Sequence, residues 1–326
     1  MSNDNHHWVP KLIIRKFVDT DGRVFRLNIQ TDEVTKPPPK YAASKVGFND
    51  FVVNGQTVSY EDRLEKIETA AAPTLKAIIK SRSVAGLTEI QRQNVANFVA
   101  AQSFRTEAFY EGIGSGLLRK DFGSIFAELW RAAFILSAEI MRRKWVPMVI
   151  EHDDVFYLGD HPVVLQHTET PASPQPLGFD IEGVEAFMPL SPKCALYMPC
   201  PSVSRLIIGG HGDALAAPEN LRRANAVGAV TDISDADFLA LAQRVLERDG
   251  PLYQSLTQGT ALVAAPANVE NLNYLQCAWA HTAVYSNRRD FTFARHVFDK
   301  TPQYRELVKV RLGFIVPPRE ASTVSD

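Results

Sequence analysis

FVVNGQTVSYEDRLEKIETAAAPTLKAIIK (residues 51–80) changes its hydrophobic period in mid-course. Its first part alternates around Asn54-Gly55, a favoured turn dipeptide, and predicts a short hairpin within Phe48–Val58. From about Tyr60, Leu64, Ile67, Ala71, Leu75 and Ile78 recur at spacings of three and four, which is one face of a helix. Pro73 lies inside that pattern and predicts a kink or a break at Ala72. Strand signals therefore stop and helix signals begin at one point, without alternating.

The same segregation holds outward in both directions. Upstream, VFRLNIQTDEVTK (residues 24–36) reads as a hairpin turning at Thr31-Asp32, and Pro37-Pro38-Pro39 stiffens the connector after it. Downstream, a second helix is predicted from Thr88 to Leu118 and a third from Ser124 to Lys144. After Trp145 the chain turns strand-like, with hairpins expected around His152-Asp153-Asp154 and Ser191-Pro192. GGHGDALAAPEN (residues 209–220) reads as a mobile loop, and helices follow over Leu221–Val230, Ala236–Glu247 and Val269–Ser286. Segregated blocks favour an α+β fold over a doubly wound parallel sheet. Mixed or antiparallel sheets from the N-terminal and central hairpins should pack against a bundle of long helices, with both sets of strands sharing one sheet. The reading is one large domain over residues 1–290, with strands in 1–58, helices in 59–144, strands in 145–208 and helices in 215–290. A C-terminal segment, 291–326, ends in a polar, frayed tail.

The chain has 326 residues, enough for a core that needs neither disulfides nor a structural metal. Thirty-five basic residues against 37 acidic ones leave a net charge of −2, which argues against attachment to nucleic acid by global charge. A local basic site stays open. No basic n-region precedes a long apolar stretch at the N-terminus, and no window reaches the length of a membrane span, the closest being Leu129–Met141, which Arg131 and Glu139 interrupt, so a secretory signal and a membrane location are not expected. Three cysteines without C-x-x-C spacing form neither a disulfide framework nor a thiolate zinc site, which points to the cytoplasm.

The opening box His6-His7-Trp8-Val9-Pro10, followed by Arg15 and Phe17, resembles the start of the Domain of Unknown Function 4238 family, a set of uncharacterised, mostly bacterial proteins. The likeness continues in order. It takes in Ile67-Glu68; the box Gln102, Arg105 and Thr106; the turn Asp160, Pro162 and Val163; Pro189 to Pro192; and Asn271 with Asn273 leading to Tyr285-Ser286. It covers roughly residues 5–290. The chain departs at Gly159-Asp160-His161-Pro162, where relatives often carry Ser-Asp-Asn-Pro. The resemblance implies no activity, so the chemistry rests on side chains.

Those that matter are His6, His7, Glu68, Gln102, Arg105 and Asp160, with His161 beside them. Adjacent imidazoles suit general acid/base work or metal ligation, and in an extended segment they face opposite sides, so one of them would enter a given pocket. The bland alternative is a hydrogen-bonded pair pinning the first strand. Glu68 falls on the apolar stripe of its helix, where a buried carboxylate is costly unless paired or ligating; the bland alternative is a boundary position on a wide stripe. Gln102 and Arg105 are helical neighbours, and Arg105 lies on the line of Phe98 and Phe109, either clamping an anion or bridging to Glu68 or Asp160. Asp160 at a strand-to-turn junction is either a site group or an Asx-turn. Ser191 lacks a nucleophile elbow, and no H-E-x-x-H, P-loop or dinucleotide fingerprint is present.

Three functions fit. One is a hydrolase for a phosphodiester or related anionic bond, nuclease-like, with a histidine as acid/base, Glu68 and Asp160 orienting it or holding a divalent metal, and Arg105 neutralising charge. The second is a non-catalytic module binding an anionic ligand, nucleic acid or a protein segment. The third is a buried ion network that serves packing alone.

Overall fold

The computed structural model describes residues 5–53, 55–114, 122–168, 177–227 and 233–305. β1 (Asn5–His7) and the single turn α1 (Lys11–Ile14) lead to β2 (Phe25–Asn28), β3 (Val34–Thr35), β4 (Ser44–Val46), β5 (Asp50–Val53) and β6 (Gln56–Ser59). The helices α2 (Glu61–Ser81), α3 (Glu89–Phe104), α4 (Glu107–Gly114) and α5 (Phe122–Arg142) follow. The central strands are β7 (Val146–Val149), β8 (Leu158–Gly159), β9 (Val164–His167), β10 (Val184–Ser191) and β11 (Cys194–Met198). The chain continues through α6 (Pro201–Ala226), α7 (Asp235–Gln258), β12 (Leu262–Val263), α8 (Pro266–Trp279), β13 (Ala283–Ser286) and α9 (Thr292–Lys300). The fold class is α+β.

Two larger sheets carry the architecture. The first has the order β12-β7-β11-β10-β9, antiparallel except for the β12–β7 pair. It is buried on both faces: all of β7 and β11 and nearly all of β10 are shut from solvent, which requires cover on each side. The second has the order β3-β2-β13-β8 and is antiparallel throughout. Its strand β13 splits the interior. Tyr285 belongs to the main core, whereas Val284 belongs to a second core with Leu27, Ile29, Phe291, Val297 and Phe298. The expected single sheet is therefore replaced by two. Small pairs β1–β4 and β5–β6 complete the N-terminal block.

Local signals explain most boundaries. Thr88 and Gln91 form a reciprocal capping box at the start of α3, and Ser234 caps α7. Gly259 ends α7 at φ 71°, and a Cβ there would stand 2.9 Å from the Ala85 amide nitrogen, so glycine is required twice over. α2 runs unbroken through Pro73.

Five expected elements differ. The helix drawn from Thr88 to Leu118 breaks at Arg105, because the Thr106 hydroxyl accepts the Phe109 N–H and starts α4; residues 115–121 lie outside the described set. His152-Asp153-Asp154 is no hairpin tip, since β7 and β8 belong to different sheets and this segment crosses between them. GGHGDALAAPEN is not a loop, nor is 201–208 strand. Both lie inside α6, which packs along α7, and His211 is buried in a stack on Tyr253 with ring centroids 3.9 Å apart. Tertiary packing overrides the weak helix propensity of three glycines. The helix expected over Val269–Ser286 ends at Trp279, and Ala283–Ser286 is the central strand β13. Residues 291–300 supply Phe291 and α9 to the second core. The tail expectation falls on residues outside the described set. Among the described residues no helix is long and apolar enough to cross a membrane.

Candidate functional site

β1 pairs antiparallel with β4, His6 opposite Lys45 and His7 opposite Ser44. The two rings meet different surroundings. His6 is buried, and its Nδ1 accepts the Asn49 amide at 3.1 Å and lies 3.7 Å from Asp50 Oδ1. His7 bonds through Nε2 to the Pro39 carbonyl at 3.2 Å. Burial lowers the pKa of His7, and it lies within the fields of Lys11, Arg105 and Glu68. It is accordingly a neutral imidazole near pH 7.

The next residue, Trp8, ties this strand to α3. Its carbonyl accepts a 2.7 Å hydrogen bond from Gln102 Nε2. Gln102 Oε1 in turn accepts from Arg105 Nη2 at 3.4 Å. Arg105 occupies the junction between α3 and α4, and its Nη1 donates to Glu68 Oε1 of α2 at 2.7 Å. The Arg105 side chain is 4% exposed and that of Glu68 22%, so the pair is sealed on one side and open on the other. Among the described residues, Arg105 Nε is buried without a partner. Leu64, Ile67, Glu68, Phe98, Ala101, Gln102 and Arg105 line a slight depression that, as it stands, has no room for even a water molecule.

Four of the six expected residues thus share one neighbourhood: His7, Glu68, Gln102 and Arg105. His6 faces Asn49 and Asp50 instead. Asp160 does not line the depression. Its carboxylate accepts the His281, Thr282 and Ala283 amides at 2.7, 2.7 and 3.0 Å and the Thr282 hydroxyl at 2.7 Å. Those bonds terminate the path of α8 and launch β13, so Asp160 organises the second sheet. His161 sits beside it, with Nδ1 3.1 Å from the Thr106 hydroxyl and the ring against Trp279. Burial, helped by nearby His281, lowers its pKa to about 4. The Thr106–His161 contact ties the α3–α4 junction to the Asp160 turn.

Asn273 and Gln276 have a role that chain position hides. From α8 their side-chain oxygens accept the Tyr157 and Gly159 amides, each at 2.7 Å. Their amide groups donate to the Val155 and Pro162 carbonyls. They act as a surrogate strand edge for residues 155–162. Asn271 bonds Gln166 at 2.9 Å. Asp50 was not singled out from the sequence; its side chain is buried, among the described residues neither of its oxygens accepts a hydrogen bond, and His6 Nδ1 stands 3.7 Å from Oδ1. Among the described residues no three His, Cys, Asp or Glu side chains gather as a metal site would require.

The family model described as "Protein of unknown function (DUF4238)" matches residues 5–131 and 133–290. The chain belongs to that family. No curated protein and no solved structure matches it. The match spans β1 through β13, so the depression and the Asp160 turn both lie within the family region.

Proposed function

We propose that this family member is a non-catalytic recognition module whose contact point is the Glu68–Arg105–Gln102 depression, and that its ligand presents an anionic oxygen. One observation carries the reading. Arg105 is a nearly buried guanidinium with an unspent Nε–H, and its carboxylate partner stands at the open side. A buried cation needs a partner, but Glu68 is exposed enough to swing out and yield its place to a carboxylate or phosphate. Leu64, Ile67 and Phe98 line the same depression, which has to widen as Glu68 swings out before a ligand's stem can lie against them. Nucleic acid is one possible bearer of such a group, and the three free thiols suit a reducing compartment such as the cytoplasm.

Titration with inorganic phosphate and with succinate, followed by tryptophan fluorescence from the neighbouring Trp8, tests this. Saturable quenching should be lost in Arg105→Gln. It should appear at lower ligand concentration in Glu68→Gln, where the internal competitor is weakened. A signal unmoved by both substitutions sinks the reading.

A second reading, a phosphodiester hydrolase, is favoured by His7, a neutral imidazole within the field of Arg105 and Glu68. Turnover of bis(p-nitrophenyl) phosphate, with and without divalent cations, would have to disappear in His7→Ala. Equal rates in the two proteins would remove this alternative.

A further inference from the structure

α6 and α7 form a long helical hairpin that is anchored only at its base. There, Ile207 and Ile208 of α6 and Leu252 and Leu256 of α7 pack into the main core. Among the described residues, neither core contains any residue from 209 to 251. The outer half buries little. Beyond His211, α6 buries Ala214 and Ala217, and α7 buries no residue before Ser255.

The boundary between the held and the unheld half falls at one level in both helices, and both are weak there. α6 carries Gly209, Gly210 and Gly212, and α7 carries Gly250-Pro251. None of the three α6 glycines is required sterically. A Cβ on any of them would meet nothing within 4 Å, and none has a positive φ. Packing therefore gives no reason to forgo alanine, which would strengthen the helix at each position. Across from them, Pro251 brings no amide donor for the Glu247 carbonyl. Gly250 sits against His211, with 3.8 Å between its Cβ position and the ring Cε1. A proline by itself does not bend a helix in this fold, since α2 runs through Pro73. What marks this level is that both helices lose stabilising groups together, where the core contacts end. One ring contact bridges it. His211 stacks on Tyr253 with centroids 3.9 Å apart and planes 17° off parallel. Among the described residues the buried His211 Nδ1 has no hydrogen-bond partner, so the contact rests on ring area and can slide.

We propose that the α6–α7 hairpin is an articulated arm. Its outer half, 213–227 with 233–249, swings as one body on a hinge made of Gly209, Gly210 and Gly212 with Gly250-Pro251. The His211–Tyr253 stack is the latch that holds the straight form. Hinge motions are absorbed by a few residues free to change φ and ψ, and glycine tolerates such changes best. Each half keeps its own ties. The base is fixed by Ile207, Ile208, Leu252 and Leu256, and toward the far end Asn225 of α6 donates to Asp235 of α7 at 2.9 Å. The arm thus takes up a new angle to the core without unfolding either helix at its base. It is separate from the Arg105 depression, none of whose lining residues belongs to α6 or α7.

Double electron–electron resonance between nitroxides on introduced cysteines tests this in the full chain. Both label pairs use the exposed Lys76 of α2, joined either to the exposed Arg244 in the outer half or to the exposed Gln254 in the base. The native cysteines are buried, so the chain without introduced cysteines serves as the blank. Lys76→Cys with Gln254→Cys should give a narrow distance distribution, and Lys76→Cys with Arg244→Cys a broad or two-peaked one. Gly209→Ala, Gly210→Ala and Gly212→Ala together, which fit the open space at each site, should narrow the outer pair to the width of the base pair. His211→Ala should broaden the outer pair further, whereas His211→Phe, which keeps a stacking ring, should not. An outer pair as narrow as the base pair in the wild type, or one whose width the alanines leave unchanged, would overturn the hinge. A width unmoved by His211→Ala would overturn the latch.

Discussion

His161 shows how much one side chain can hold in this fold. It stands between the Thr106 hydroxyl and Trp279, shut from solvent, with a pKa near 4 against 6.5 for a free imidazole. Because the folded value is the lower one, protons prefer the unfolded chain between those two pH values. The contribution of neutral His161 is intact above pH 6.5, is lost as the pH falls toward 4, and declines no further below that. A shift of that size corresponds to about 3 kcal/mol at the acid end. Urea midpoints measured at pH 7 and pH 4.5 should therefore fall further for the wild type than for His161→Asn, which cannot titrate and keeps an amide for Thr106. Parallel declines in the two proteins would mean that His161 is not the acid-sensitive group. At the same scale, the residues singled out by chemistry were legible as types. Arg105 and Glu68 do meet, because a guanidinium and a carboxylate on apolar helix faces have few other ways to lower their burial cost. Asp160 was equally visible, but its partners, the amides of His281, Thr282 and Ala283, are more than a hundred positions away. No local pattern distinguishes a carboxylate that serves a site from one that serves distant backbone.

Among the elements, helices with caps were readable and the junctions decided by contact were not. The boundary at Thr88 follows from a hydroxyl and an amide three residues apart. The end of α8 follows instead from Asp160 capturing the amides beyond it, and the helix of α6 from α7 lying along it. The close approach of α8 to β8 gives a direct test. A Cβ on Gly159 would stand 2.8 Å from the Gln276 backbone oxygen and 3.2 Å from its side-chain oxygen. Gly159→Ala must therefore push helix and strand apart and weaken the Gln276 clamp on the Gly159 amide. We expect a loss of about 1–3 kcal/mol, read as a lower denaturant midpoint at unchanged slope. A midpoint equal to that of the wild type would show that the α8–β8 contact yields freely.

Across the molecule, burial is uneven. The strands β10 and β11 are buried almost end to end, whereas α6 buries Ser204, His211, Ala214 and Ala217 and α7 buries Ser255 and Leu256. Regions with few buried apolar contacts open at lower free energy. In hydrogen exchange read by mass spectrometry, peptides from the outer turns of α6 and α7 should exchange well before those of β10 and β11. Uniform protection would indicate that the helix pair is held by contacts beyond those seen here.

Periodicity and turn chemistry by themselves determined the α+β class, the N-terminal hairpins, the β10–β11 hairpin and the polar groups worth watching, because each depends on residues a few positions apart. Which strands share a sheet, whether the stretch around His211 coils, where α8 stops, and which candidates meet at the depression were decided by tertiary structure alone. Each of those outcomes depends on hydrogen bonds and packing between segments far apart in the chain, and such contacts leave no period in the residues that make them.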